Sequence, residues 1–230
     1  MSNTKILKNK RVSGTDATVF GTLANRSWDS RWEKVFQNRA WGKYPSEELV
    51  RFIARNFYKA KDREKIRILD LGCGTGAGAW FIAREGFSSF GIDGSETAIK
   101  IATERFRKEN LKGEFLTGDI IKLKYPNNYF DCIIDICALQ HNRNSCIKQI
   151  IKEMHRVLKH NGKIFSMIIS KKSRVSKKDY LKEYGFTNFM TENDIRKAFC
   201  RFGDIEIEKK ERTDRGNLIA HFIVSVTKRN

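Results

Sequence analysis

No stretch of this chain approaches the roughly 20 consecutive apolar residues that a membrane-spanning helix requires. The opening residues, Met1 to Arg11, are polar and basic and hold no apolar signal segment, so a soluble cytoplasmic protein is expected. Cysteine occurs five times, at positions 73, 132, 137, 146 and 200, an odd number without any Cys-x-x-Cys pair. That usage supports neither a disulfide framework nor a zinc site, and no metal is expected. Internal repeats are lacking as well. Acidic residues are outnumbered, with 27 Asp and Glu against 45 Lys and Arg and a net charge of +18. Such an excess suits a polyanionic partner, whether RNA, an anionic membrane surface or a phosphorylated metabolite. No basic stretch, however, is interleaved with the aromatic side chains of a single-strand RNA platform; the local concentrations lie at Lys8 to Arg11, Lys59 to Arg67 and Lys171 to Lys182.

What is present is concentrated in Ile68-Leu69-Asp70-Leu71-Gly72-Cys73-Gly74-Thr75-Gly76. A short apolar run bounded by glycine suits a parallel strand covered on both faces. The glycines let the backbone turn sharply and approach a ligand where a Cβ would collide. Small residues Ala77, Gly78 and Ala79 then lead into Trp80 to Ala83, a helix start whose amides would face a pocket. Two cofactor classes use such a turn. Gly72-x-Gly74-x-x-Ala77 fits the dinucleotide fingerprint formally, with Asp93 about 20 residues on as the ribose acid. Against it, Asp70 places a fixed negative charge in the turn, where a pyrophosphate would have to dock. A cationic ligand would be welcome there.

With 230 residues and 40% hydrophobic content, the chain can bury one substantial core. Residues 1 to about 26 show little periodicity, and Trp28 to Gln37 carries Trp28, Trp32, Val35 and Phe36 at helical spacing. A second helix is expected from Pro45 or Ser46, lined by Leu49, Phe52, Ile53 and Phe57. From Ile66 onward strand and helix signals alternate, the mark of an α/β fold with a mainly parallel sheet. Strands are expected at 66–71, 88–92, 113–117, 129–136 and 163–169, with helices at 76–85, 95–109 and 143–158. Residues 171–190 read as a basic, poorly patterned connection with a candidate binding role. Thr191-x-x-Asp194 reads as a capping-box variant opening a last helix through Phe202. Two final strands, 204–211 and 218–227, meet across Asp214-Arg215-Gly216-Asn217 as an antiparallel hairpin.

The pattern Asp70-x-Gly72-x-Gly74-x-Gly76, with an acid at a second strand end, Asp93, and another at a third, Asp119, resembles the class I S-adenosylmethionine-dependent methyltransferases. The resemblance covers about 46 to 228 in element order. It implies a Rossmann-like three-layer sandwich with a seven-stranded, mostly parallel sheet of order 3-2-1-4-5-7-6, strand 7 antiparallel. It divides the chain into an extension and cofactor-covering helix, 1–45, and a methyltransferase domain, 46–230. The implied cofactor is S-adenosylmethionine. Gly72, Cys73 and Gly74 would approach its methionine and ribose, Asp70 its amino group, and Asp93 the ribose hydroxyls. Gly94 and Ser95 would flank the nucleoside, and Gly118, Asp119 and Ile120 would meet the adenine. Ile136 would lie beside the sulfonium, and Trp32 and Trp41, with Tyr44 as a further candidate, would cover the pocket.

The reacting edge is expected in Phe130 to His141. Asp135 interrupts an apolar strand, and a buried carboxylate requires a donor or a wet pocket, so it is a candidate base or substrate contact. His141 is a candidate base near neutral pH. Each has an ordinary alternative, a structural hydrogen-bonding role. No Asn-Pro-Pro-Tyr-type sequence follows strand four, which disfavours amino methylation of adenine or glutamine. The favoured acceptor is a small molecule, of sugar or anionic type, taking the methyl group on oxygen or nitrogen, with the basic segment 171–182 meeting its charge. RNA is the alternative, and a nicotinamide-dinucleotide oxidoreductase or a non-catalytic binding protein stands behind it.

Overall fold

The computed structural model describes residues 27–39, 41–214 and 216–229. Its centre is a seven-stranded sheet of order β3-β2-β1-β4-β5-β7-β6. The strands are β1 Arg67–Leu71, β2 Ser88–Asp93, β3 Glu114–Thr117, β4 Phe130–Ile136, β5 Leu158–Ile169, β6 Asp204–Asp214 and β7 Asn217–Thr227. The first five pair in parallel, and β7 runs antiparallel to both β5 and β6. This is the architecture expected, including the reversed strand 7.

Alternation along the central strands explains the three layers. Ile68, Cys132 and Ile134 face one side and pack with Leu49, Phe52 and Ile53 of helix α2 (Glu47–Phe57) and Phe81 and Ile82 of α3 (Ala77–Arg84). Leu69, Leu71 and Ile133 face the other side with Ile147, Ile150, Ile151 and Met154 of the 14-residue helix Asn144–Val157. Each fully buried Leu or Ile contributes roughly 1.5–3 kcal/mol relative to exposure. Ser46 caps α2 by accepting from the Leu49 amide, and Glu47 and Glu48 sit in its positive first turn.

The remaining described helices are α1 Arg31–Asn38, α4 Glu96–Lys108, α5 Asn144–Val157, α6 Lys177–Tyr184 and α7 Glu192–Ala198. Three differ from the sequence reading. Helix α1 begins at Arg31 rather than Trp28, because Asp29 turns the chain: its carboxylate accepts the Arg31 amide and its carbonyl the Trp32 amide. Helix α6 lies inside the segment read as unstructured. Ser176 caps it, and its one-sided apolar content is the pair Tyr180 and Tyr184, too short a pattern to stand out. The third is α7, which ends at Ala198 rather than Phe202 and is opened by the expected capping box of Thr191 and Asp194. In the hairpin, pairing continues to Asp214 and Asn217, so the turn is tighter than expected. Among the described residues no helix is long and apolar enough to cross a membrane, and no group of His, Cys, Asp or Glu could hold a metal ion.

Candidate functional site

A cavity of about 640 Å³ opens at the carboxyl ends of the parallel strands, where β1 and β4 turn away from one another. This is the crevice in which doubly wound sheets bind ligands, and the volume is that of a small-molecule site. The β1 turn forms its floor. Gly72 holds φ +68°, and a Cβ there would stand 2.3 Å from that of Ala138, so the turn closes only with glycine. The Gly72 and Cys73 amides both donate to the Ile92 carbonyl. Burial pushes the Cys73 thiol well above its ordinary range, which removes it as a nucleophile.

Three acids were expected to hold the ligand, and the fold treats each differently. Asp93 lines the cavity, with one carboxylate oxygen accepting the Gly74 amide at 2.8 Å and the other the Ser95 amide at 2.9 Å. Burial raises its pKa, and the two amides oppose that rise. Asp70 also lines the cavity and accepts the Ala79 amide at 2.8 Å, which fastens the start of α3 to β1. Burial raises its carboxyl to about 7; the Ala79 amide works against this, and the charges of Asp93 and Asp135 add to it. Asp119 does not line the cavity. Its carboxylate accepts the Ser27 amide at 3.0 Å, the Ser27 hydroxyl and the Ile121 amide at 3.1 Å. The segment before α1 therefore covers the acid expected to meet adenine.

Trp28, adjoining that segment, was read as part of an apolar helix face and not as a site residue. Its indole lines the cavity against Gly94, and its Nε1 is buried without a hydrogen-bond partner among the described residues. Gly94, Gly118 and Ile120 line the same region, as do Gly72, Cys73 and Gly74. Ser95 does not: its hydroxyl caps α4 by accepting the Ala98 amide and donates to Glu33 of α1 at 2.6 Å. That cap role was the ordinary alternative for a residue in this place.

The end of β4 departs furthest from expectation. Asp135 is fully buried and outside the cavity lining. One oxygen accepts the Ala138 and Leu139 amides at 2.9 and 3.0 Å, and the other accepts the Ser166 hydroxyl. Burial raises its carboxyl to about 6, opposed by these three donors. The candidate base thus braces the turn after β4. That turn holds Cys137 at φ +65°, unusual for a residue with a Cβ, and together with Ile136 it presents Cys137 to the cavity.

Past it, His141 lines the cavity. Its Nδ1 lies 3.1 Å from the Phe186 carbonyl, an acceptor only, so Nδ1 carries the proton and Nε2 keeps its lone pair for acceptance, with the Gln140 side-chain amide 3.5 Å away. Burial is the first cause that lowers its pKa, to about 4, with the Phe186 bond and Asp29 pulling the other way. His141 is thus a neutral hydrogen-bond acceptor at physiological pH, a weaker base than the sequence suggested. Gln140 beside it is anchored by the Ile169 amide at 2.6 Å.

Trp32 and Trp41 both line the cavity, while Tyr44 is 72% exposed and packs on Trp80. Trp32 stacks 6.2 Å from Tyr184 and meets the His141 ring at 4.8 Å. An Arg31 donor to the Leu181 carbonyl and an Arg39–Glu183 ion pair also tie α1 to α6. The two helices form a roof. From the basic segment 171–182 the cavity receives Tyr180 and none of the lysines; its cations come from Lys210 and Arg212 on β6.

The site is a glycine turn with an acid at each of two strand ends and a roofed second half, on a 3-2-1-4-5-7-6 sheet. Residues 68–162 match the model of a methyltransferase domain. A sterol 24-C-methyltransferase of Gibberella zeae is 35% identical over 103 residues, 44% of this chain and 26% of that protein. A ubiquinone biosynthesis O-methyltransferase of Pelagibacter ubique is 31% identical over 129 residues, 53% of this chain and 52% of that one. The chain thus matches about half or less of the length of these curated relatives. A solved S-adenosylmethionine-dependent methyltransferase of Methanosarcina mazei superposes with a TM-score of 0.62 at 26% identity, covering 77% of this chain and 97% of that one. Residues 68–162 are thus similar to a methyltransferase domain, and the fold is that of a solved S-adenosylmethionine-dependent methyltransferase.

Proposed function

We propose that this protein transfers a methyl group from S-adenosylmethionine to an oxygen or nitrogen of a small molecule. The observation that carries the reading is the continuity of one cavity from Asp93 and Gly118 to His141 and Tyr180. The first half suits the cofactor. Each Asp93 oxygen spends one lone pair on a backbone amide and keeps another for a ribose hydroxyl. The Gly72-Cys73-Gly74 backbone has no side chain in the way at either glycine. Asp70 would meet the amino group, whose positive charge favours the ionised carboxylate that burial alone disfavours. Ile120 and Gly94 would enclose the adenine, and the unpartnered Trp28 N–H supplies a donor to it.

When bound, the cofactor supplies an electrophilic methyl group on a sulfonium. The chain's own work is to align and to dry. Trp32, Trp41 and Tyr184 exclude water from above, and their faces suit a cation. His141 Nε2 would accept the acceptor's O–H or N–H and hold its lone pair toward the methyl group. Asp135 acts only by bracing the turn that carries Ile136, Cys137 and, through Leu139, the start of the His141 turn.

The net charge of +18 favours one rival, RNA as the acceptor. Incubation with labelled S-adenosylmethionine and separated metabolite, RNA and protein fractions distinguishes the two. Label is expected in the metabolite fraction; label in RNA would overturn the acceptor class. Binding of a nicotinamide dinucleotide in place of S-adenosylhomocysteine would overturn the reading entirely.

A further inference from the structure

The far wall of the cavity is the cavity-facing side of the β6–β7 hairpin. The antiparallel register sets Lys210 opposite His221 and Arg212 opposite Ile219, and all four line the cavity. The carboxylates nearby are mostly spoken for. Glu48 holds the Lys210 ammonium, and Glu47 pairs with Arg51 on α2. The guanidinium of Arg212, an exposed residue, makes no ion pair or hydrogen bond among the described residues, while Asp214, about 7 Å further along the strand by its rise, lines the same cavity. At His221 the acting charges are positive. Burial, then Arg212 and Lys210, hold the His221 imidazole down to about 4, and no acid acts on it in the opposite sense. Arg212 also pulls down the Cys137 thiol, so its charge reaches the end of β4, although burial keeps that thiol up at about 12.

We infer that Arg212 is the seat of an anionic group on the acceptor, a carboxylate or a phosphate. This rests on the methyltransferase reading and specifies its substrate. A guanidinium presents a planar fork of donors that matches either oxyanion, and lysine behind it adds charge. The same lining includes the apolar side chains Ile136, Met167 and Ile219 and the ring of Tyr180, together with Cys137, Gln140 and His221. An anionic end that rests on Arg212 rather than on the apolar side chains recovers its lost hydration there, so charge at Arg212 selects among acceptors. The acceptor is accordingly amphipathic: an apolar or aromatic middle, an anionic end on the hairpin and a hydroxyl or amine at His141. The basic segment 171–182, where the sequence placed this role, contributes none of its lysines.

The test uses the full chain saturated with S-adenosylhomocysteine and three probes of similar shape: benzoate, phenyl phosphate and the neutral benzamide. Calorimetry or ligand-observed NMR should show at least one anion binding more tightly than benzamide, and the better anion distinguishes carboxylate from phosphate. Arg212→Gln should weaken that anion at least tenfold, and Arg212→Lys should recover part of the loss. Affinity for S-adenosylhomocysteine and the melting temperature should stay as in the wild type. The inference is overturned if neither anion binds the wild type better than benzamide, or if Arg212→Gln binds the anion equally well. Failure of the wild type to bind S-adenosylhomocysteine would instead defeat the methyltransferase reading.

Discussion

The Trp28 indole lies on Gly94, where an added Cβ would stand 2.0 Å from the indole Cδ1. Backbone and ring touch so closely that Gly94→Ala must push Trp28 out of the cavity wall. About tenfold weaker S-adenosylhomocysteine binding is expected by calorimetry, with the melting temperature little changed. Trp28→Phe keeps an aromatic ring, though a smaller one, and deletes the buried donor, and a hydrogen bond of about 1 kcal/mol predicts a loss of about fivefold. Unaltered affinity in both variants would remove Trp28 from the nucleoside half.

Asp93→Asn preserves shape but swaps one acceptor oxygen for a donor beside the Gly74 or Ser95 amide. Hydrogen bonds to a charged group contribute about 1.5–3 kcal/mol, so cofactor affinity should fall roughly 10- to 100-fold. Asp119→Asn should have a smaller effect on binding, since that carboxylate is already engaged with Ser27 and Ile121. Equal losses at the two positions would show that Ser27 yields Asp119 to the ligand.

Asp70 sets a pH dependence of stability. Its folded pKa, about 7, is above the ordinary carboxylate value because the charged form is buried. The folded state binds the proton more tightly than the unfolded chain does. Its contribution is therefore fully present below about pH 4 and is lost as pH rises toward and through 7. Asp70→Asn can still accept the Ala79 amide and carries no charge. The melting temperature of the variant relative to wild type should rise steadily between pH 4 and pH 8 in the absence of ligand. A difference that is constant with pH would mean that Asp70 titrates as an ordinary carboxylate.

His141 should not titrate in the activity profile near 6.5, because burial keeps it neutral down to about 4. Once an acceptor is identified, His141→Gln should lower kcat about tenfold with S-adenosylhomocysteine affinity within twofold, consistent with loss of a positioned acceptor. An inflection near pH 6.5 that disappears in the variant would restore His141 as a conventional base.

Asp135→Ala would leave the Ala138 and Leu139 amides without their buried acceptor, at a cost of about 1–3 kcal/mol for each unsatisfied group. Denaturant titration should register that loss, and activity should fall in step with the folded fraction. A variant as stable as wild type with abolished turnover would return Asp135 to the chemistry.

The sheet order, the carboxyl ends of the parallel strands and the glycine turn were legible in the linear chain. Those signals are local: apolar runs of strand length, Ser46, Ser95 and Thr191 at helix starts, and glycine where φ is positive need no distant partner to be read. What distant contacts decide was not legible. Asp93 and Asp119 look alike as acids closing strands, yet Ser27, 92 residues away in the chain, takes one and leaves the other. Asp135 read as chemistry because an acid in an apolar strand demands a partner, and only the neighbouring strand shows that the partner is Ser166. Helix α6 was missed because its apolar pair faces a cavity roof made with α1. The position of Arg212 opposite Ile219 follows from hairpin register, so the charge that picks the acceptor is set by tertiary structure and not by the basic composition that first suggested it.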